Sequence, residues 1–144
     1  MIVAVHALVG AALSRLCRTR PQAFALGFVS HCPCDMTPHR DLEIPQEALL
    51  LSATLALLAA VRGPESKEIA GAIGGAAPDI ENLVGRCFGI PDEKLILPTH
   101  STFHGRKTEG LGPQVAIALA CLAVVCWPPR RVSGDCRSRR SRAT

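Results

Sequence analysis

The stretch QEALLLSATLALLAAV, residues 46–61, decides how this chain is read. Pro45 suits the first position of a helix, and Arg62-Gly63-Pro64 ends it. Its apolar residues do not keep to one helical face, as they would on the surface helix of a soluble domain. A bilayer crossing takes about 20 apolar residues, and runs of roughly 10–14 are more often core or re-entrant helices. This run and its neighbours fall mostly between those limits. Three features set the reading at membrane: the runs carry almost no charges, they are not amphipathic, and they are poor in aromatic residues. Across all 144 residues aromatic content is 3%, with no Tyr and one Trp, Trp127, against 48% hydrophobic residues. Cores built from Ala, Leu, Val and Gly favour close helix packing of the kind found inside membranes.

Working outward, residues 2–16 are apolar apart from His6 and Ser14-Arg15, and His6 shares a helix face with Gly10. This segment reads as a signal anchor or as the first helix of the body; its positive charges follow the apolar run, unlike those of a cleaved leader. Arg15, Arg18 and Arg20 form a basic exit, and Pro21 opens the next apolar stretch, residues 22–32. Residues 66–77, SKEIAGAIGGAA, place Gly71 and Gly75 four apart, a spacing that lets a second backbone approach closely. The alternative is a flexible loop, because glycine weakens helices. Pro78 is expected to break that segment. Residues 91–112 read as a polar loop, and PQVAIALACLAVVCW, 113–127, is the most uniformly apolar stretch. The expected fold is all-α: about four to five apolar helices over residues 1–129, membrane-embedded, followed by a disordered Arg/Ser-rich tail at 130–144.

The net charge of +4 is uneven. Residues 130–144 hold six Arg and one Asp, so the preceding 129 residues sum to −1. The basic balance therefore belongs to the tail, and no nucleic-acid partner is expected, since the tail has no aromatic residue to stack on a base. Following an apolar helix, these arginines favour a cytoplasmic C-terminus. Seven cysteines, with no paired C-x-x-C units, argue against a disulfide framework.

The chemistry concentrates at SHCPCDMTPHRDLE, residues 30–43. His31 and Asp35 stand at i, i+4, on one side of a helix. His39 and Asp41 follow at i, i+2, His100 and His104 repeat the i, i+4 spacing, and Asp79 and Glu81 come after the glycine-rich segment. Singly, each has an ordinary reading as a cap, a surface residue or a hydrogen-bonded helix histidine. Jointly, every histidine lies at or beside the mouth of an apolar segment, mostly with a carboxylate near. Unpaired carboxylates are expensive there. A shared divalent cation would neutralise several at once, and mixed His and carboxylate donors suit zinc, with manganese the alternative.

The pattern S-H-x-x-x-D-x-x-P-H-x-D at 30–41, an N-terminal helical His6, the later P-D-I-E and a closing H-x-x-x-H resemble the membrane-bound metal-dependent hydrolases, a group of small YdjM-like bacterial inner-membrane proteins. They are more distantly similar to zinc-dependent phospholipase C. The likeness covers the layout of residues 1 to about 127 but rests on some ten positions. It implies metal-ligand roles for His6, His31, Asp35, His39 and Asp79, and less firmly for Asp41, Glu81, His100 and His104. One departure is Pro33, between His31 and Asp35. A proline inside a helix costs roughly 3 kcal/mol and clashes with the carbonyl four residues back, so a break at Pro33 is expected to disturb this pair.

Two functions follow from this pattern. The first is a hydrolase at the membrane, acting on a phosphoester or ester, lipid-derived or small, with Asp35 or Asp79 as general base and Arg40, Arg106 or Lys107 steadying negative charge. The second is a noncatalytic membrane protein whose cluster is a structural metal site or a polar helix junction.

Overall fold

The computed structural model describes residues 1–91, 94–96 and 110–128. Five helices build it: α1 Val3–Leu13, α2 Arg20–Asp35, α3 Ile44–Arg62, α4 Lys67–Cys87 and α5 Gly112–Cys126, with a 3₁₀ turn at Ser14–Leu16. The described residues contain no β-strand. The starts of α2 and α3 follow from local chemistry. Thr19 and Gln22 form a reciprocal capping box ahead of α2, Glu43 and Gln46 do the same for α3, and each helix carries a proline in its first positions.

Successive helices run in opposite directions. Met1, Asp35, Glu47 and Gln114 meet at one end of the bundle, and Arg15 reaches the last carbonyls beyond α5 at the other. Helix α4 lies in the middle, packed chiefly on α1 and α2, while α3 and α5 flank α1. The core is made of small and branched residues: Val3, Ala7, Leu8, Ala11, Leu58, Ile69, Ala72, Ala76 and Val125.

The centre of the bundle is a backbone-to-backbone contact. A Cβ at Gly71 would collide with the Gly10 carbonyl, and one at Gly75 with the His6 carbonyl. The G-x-x-x-G spacing thus acts as a contact face, and the segment is helical throughout. Gly75→Ala gains up to about 1 kcal/mol of helix propensity but forces a methyl into packed backbone, which costs typically about 1–3 kcal/mol and occasionally more. The expected result is a net loss of stability in thermal unfolding of the purified protein, with α1 moved off α4.

Two expected helix breaks do not occur. Helix α2 continues through Pro33 to Asp35, and α4 continues through Pro78 to Cys87. Pro33 falls in the last turn of α2, where few backbone bonds remain to be lost. Pro78 lies inside the central helix, and the packing of α1 and α2 along α4 outweighs its local cost. The carbonyl of Pro78 also accepts Asn82 Nδ2 at 3.1 Å.

Among the described residues one helix, α3, is long and apolar enough to cross a membrane, and only 17% of its most apolar 18-residue window is buried. The helices Val3–Leu16 and Gly112–Cys126 are apolar but shorter. Exposed apolar side chains continue around the bundle at Phe24 and Val29 on α2, Leu49 and Leu57 on α3, and Leu119 and Val124 on α5. All six described cysteines are free.

Candidate metal centre

His6 in the first turns of α1, His31 and Asp35 in the last turns of α2, and Asp79 in α4 converge at one end of the bundle. One ligand atom from each lies within 4.8 Å of all the others, and the four residues are between 0% and 3% exposed. The imidazoles of His6 and His31 stack with centroids 4.1 Å apart. Three elements, two of them joined only through the tertiary fold, thus bring two imidazoles and two carboxylates to one point. This buried group could hold a metal ion.

The hydrogen bonds bear on whether a cation fits. His31 Nδ1 lies 3.0 Å from the Gly75 carbonyl, which can only accept, so Nδ1 carries the proton. The Nε2 of a neutral His31 is then a bare lone pair. It lies 3.2 Å from Asp35 Oδ2, and neither atom has a hydrogen-bond partner. Two buried acceptors facing one another are repulsive unless a proton or a cation lies between them. A histidine whose far nitrogen donates to a backbone carbonyl is also the usual support for a metal-binding imidazole. The absence of a side chain at Gly75 lets α1 close on α4 at the same residue whose carbonyl orients His31.

The spacings also suit a small ion. A tetrahedral ion with bonds of about 2.1 Å separates its ligand atoms by roughly 3.4 Å. His31 Nε2 lies 3.8 Å from Asp79 Oδ1, and His6 Nε2 lies 3.7 Å from Asp79 Oδ2, too far for hydrogen bonds but close to that edge length. The shortest pair, His6 Nε2 to Asp35 Oδ1 at 2.9 Å, is a hydrogen bond, and it leaves His6 Nδ1 without a partner.

Positive charge already reaches this group. The Met1 amino group donates to Asp35 Oδ1 at 2.9 Å and lies 3.4 Å from Asp41 Oδ1. Asp41 in turn faces His39 Nε2 at 3.3 Å, and His39 Nδ1 donates to the Thr37 carbonyl at 2.7 Å. His39 and Asp41 therefore form a neighbouring pair, linked to Asp35 through the amino group, and are not among the four convergent residues. Glu81 accepts the Ile96 amide at 2.6 Å and holds the residues after α4 instead. Cys32 and Cys34 are half-buried and outside the group. His100, His104, Arg106 and Lys107 lie outside the described residues, as does the tail at 130–144.

Two residues not singled out in the sequence fasten the site. Glu47 of α3 accepts the Val3 amide at 2.8 Å and the Leu42 amide at 3.1 Å. Gln114 of α5 accepts the Ile2 amide at 2.9 Å and donates to the Arg40 carbonyl at 2.9 Å. Together they satisfy the open amides at the start of α1, where a carboxylate also complements the helix dipole. The available signal was the one carboxylate within α3 and the one polar side chain within α5. Glu47→Ala leaves two amides unsatisfied and is expected to cost about 1–3 kcal/mol. That loss would appear as a lower thermal midpoint of the purified protein.

A pocket lined by Asp41, Leu42, Glu47, Asp79, Asn82 and Leu83 opens beside the cluster. Asp79 belongs to both, whereas Asp35 is fully buried and does not line the pocket. Comparison of the chain with protein-family models, with curated proteins and with solved structures finds no match. The case for chemistry here rests on this geometry.

Proposed function

We propose that this chain is a membrane-embedded protein that binds one divalent cation, zinc by its donor set with manganese the alternative, in the cluster formed by His6, His31, Asp35 and Asp79. We propose further that it is a metal-dependent hydrolase of a phosphoester or ester. The observation that carries the metal reading is the convergence of four buried side chains, His6, His31, Asp35 and Asp79, with one ligand atom of each within 4.8 Å of the others. The membrane reading is supported by the 19-residue apolar helix α3 and by the exposed apolar side chains on α2, α3 and α5. The resemblance in residues 30–41 is the support for a bacterial inner membrane as its location.

A zinc-type ion, when bound, supplies a Lewis acid and a water acidic enough to attack at neutral pH. The chain's own residues divide the remaining work. In the hydrolase, His6, His31 and Asp35 would hold the ion, and Asp79 would be kept for proton transfer. Asp79 stands between that set and the pocket, placed to take a proton from the attacking water. Leu42 and Leu83 give the pocket apolar walls suited to the root of a lipid headgroup, while Asn82 offers a polar contact.

The near-complete burial of all four residues favours a second reading, a closed structural ion that pins α1, α2 and α4 together with all four side chains as ligands. One preparation distinguishes the outcomes. Detergent-purified protein is assayed for bound metal and for turnover of phosphoester and ester substrates. Stoichiometric metal with turnover supports the hydrolase, and metal without turnover of any substrate supports the structural ion. Protein that binds no divalent metal at neutral pH overturns both.

A further inference from the structure

The two ends of the bundle differ in charge, and the metal centre lies at only one of them. At the end away from it, Arg15, Arg18 and Arg20 follow α1, and Arg62 and Lys67 frame the short turn between α3 and α4. Several of these are fixed in place. Arg15 donates to the Val125 and Trp127 carbonyls at 3.1 and 2.7 Å, closing the end of α5. Arg62 donates from Nε and Nη2 to buried Glu68 at 2.9 and 2.7 Å, Arg20 pairs with Glu65, and Lys67 donates to the Cys17 carbonyl. In sequence, six further arginines follow α5.

The metal end is different. The connection between α2 and α3 carries one basic residue, Arg40, against Asp41 and Glu43. The last turn of α4 carries Arg86, and the sequence between α4 and α5 adds Lys94, Arg106 and Lys107, offset by Asp92, Glu93 and Glu109. Between the ends α1, α2 and α5 carry no charged residue in their apolar runs, so lysine and arginine are sorted to the two rims, five to each, and the six arginines that follow α5 give one side the excess.

Short connections rich in Lys and Arg stay on the cytoplasmic side of a membrane, and the count of basic residues, not the net charge, sets the orientation. Taking the membrane reading above as given, we propose that the His6/His31/Asp35/Asp79 centre and its pocket open at the extracytoplasmic face. The ester or phosphoester substrate is then drawn from that side, at the depth of the lipid headgroups. The antiparallel order of the helices makes this a property of the whole bundle. Orienting the Arg15–Arg20 and Arg62–Lys67 connections inward necessarily turns Met1, Asp35, Asp41 and the start of α5 outward.

The test places single cysteines at the two rims of an otherwise cysteine-free chain, Met36→Cys beside the metal centre and Glu65→Cys at the basic end, both at exposed positions. A membrane-impermeant maleimide applied to intact expressing cells is expected to label Met36→Cys at least about 10-fold more than Glu65→Cys, with labelling of the latter restored by permeabilisation. Fusions to the full-length native chain give a readout that does not depend on removing cysteines: a C-terminal fluorescent protein is expected to be bright and a C-terminal alkaline phosphatase inactive. Reversed or equal labelling in a protein that stays in the membrane through alkaline carbonate extraction overturns the orientation alone. Release of the protein by carbonate overturns the membrane reading, and the orientation falls with it.

Discussion

His31→Ala is expected to lower divalent-metal affinity by at least about 1,000-fold. His31 supplies a donor that no neighbour can replace, because its Nδ1 is committed to the Gly75 carbonyl and its Nε2 is the atom aimed at Asp35 and Asp79. Removing a residue that merely supports a ligand typically costs 10–100-fold in affinity, and removal of the ligand itself should exceed that. Metal content of the purified protein and competition with a chromophoric chelator measure the change. His39→Ala provides the contrast. Its imidazole faces Asp41 and not the four-residue group, so its loss is expected to change affinity by less than about 10-fold. Metal retained in His31→Ala, or lost equally in both variants, would show that the convergent residues are not the binding site. Because imidazole and carboxylate bind metal only when deprotonated, apparent affinity should also fall as pH is lowered.

Asp79→Asn is expected to reduce turnover by about 10²- to 10⁴-fold, the usual contribution of a general base, while the protein keeps its metal. The substitution preserves size and leaves a carbonyl oxygen in place but removes the ability to accept a proton. Asp79 is the appropriate target because it borders the pocket, whereas Asp35 is enclosed by His6, His31 and the Met1 amino group. The structural-ion reading gives the opposite pattern: all four side chains are then ligands, so Asp79→Asn loses metal and thermal stability together. Measuring metal content, unfolding midpoint and turnover on the same preparation separates the two. Unchanged turnover with metal retained would remove Asp79 from the chemistry.

Both results depend on a convergence that no local rule contains. The i, i+4 spacing of His31 and Asp35 already placed them on one helical side, and the structure holds them 3.2 Å apart. The partnership of this pair with His6 and Asp79 depends on how α1 and α4 dock against α2, which is set by Gly10, Gly27, Gly71 and Gly75 meeting backbone to backbone. The same packing explains why Pro33 and Pro78 lie within helices despite the local cost. His39 has the ligand type and spacing of its neighbours, yet its position after the end of α2 turns it toward Asp41.

What the sequence by itself determined is the inventory and its periodicity: apolar helical runs with little charge, their capped starts, a small-residue contact spacing, and ligand-type side chains at the mouths of those runs. Composition and near-neighbour sterics act within a few residues, so these features are local. Only the tertiary structure decided which polar groups share a pocket, which lone Glu and Gln fasten α1, and that the metal end lies opposite the basic end. Those outcomes depend on contacts between residues dozens of positions apart, where burial leaves a polar group only the partners that the packed helices bring to it.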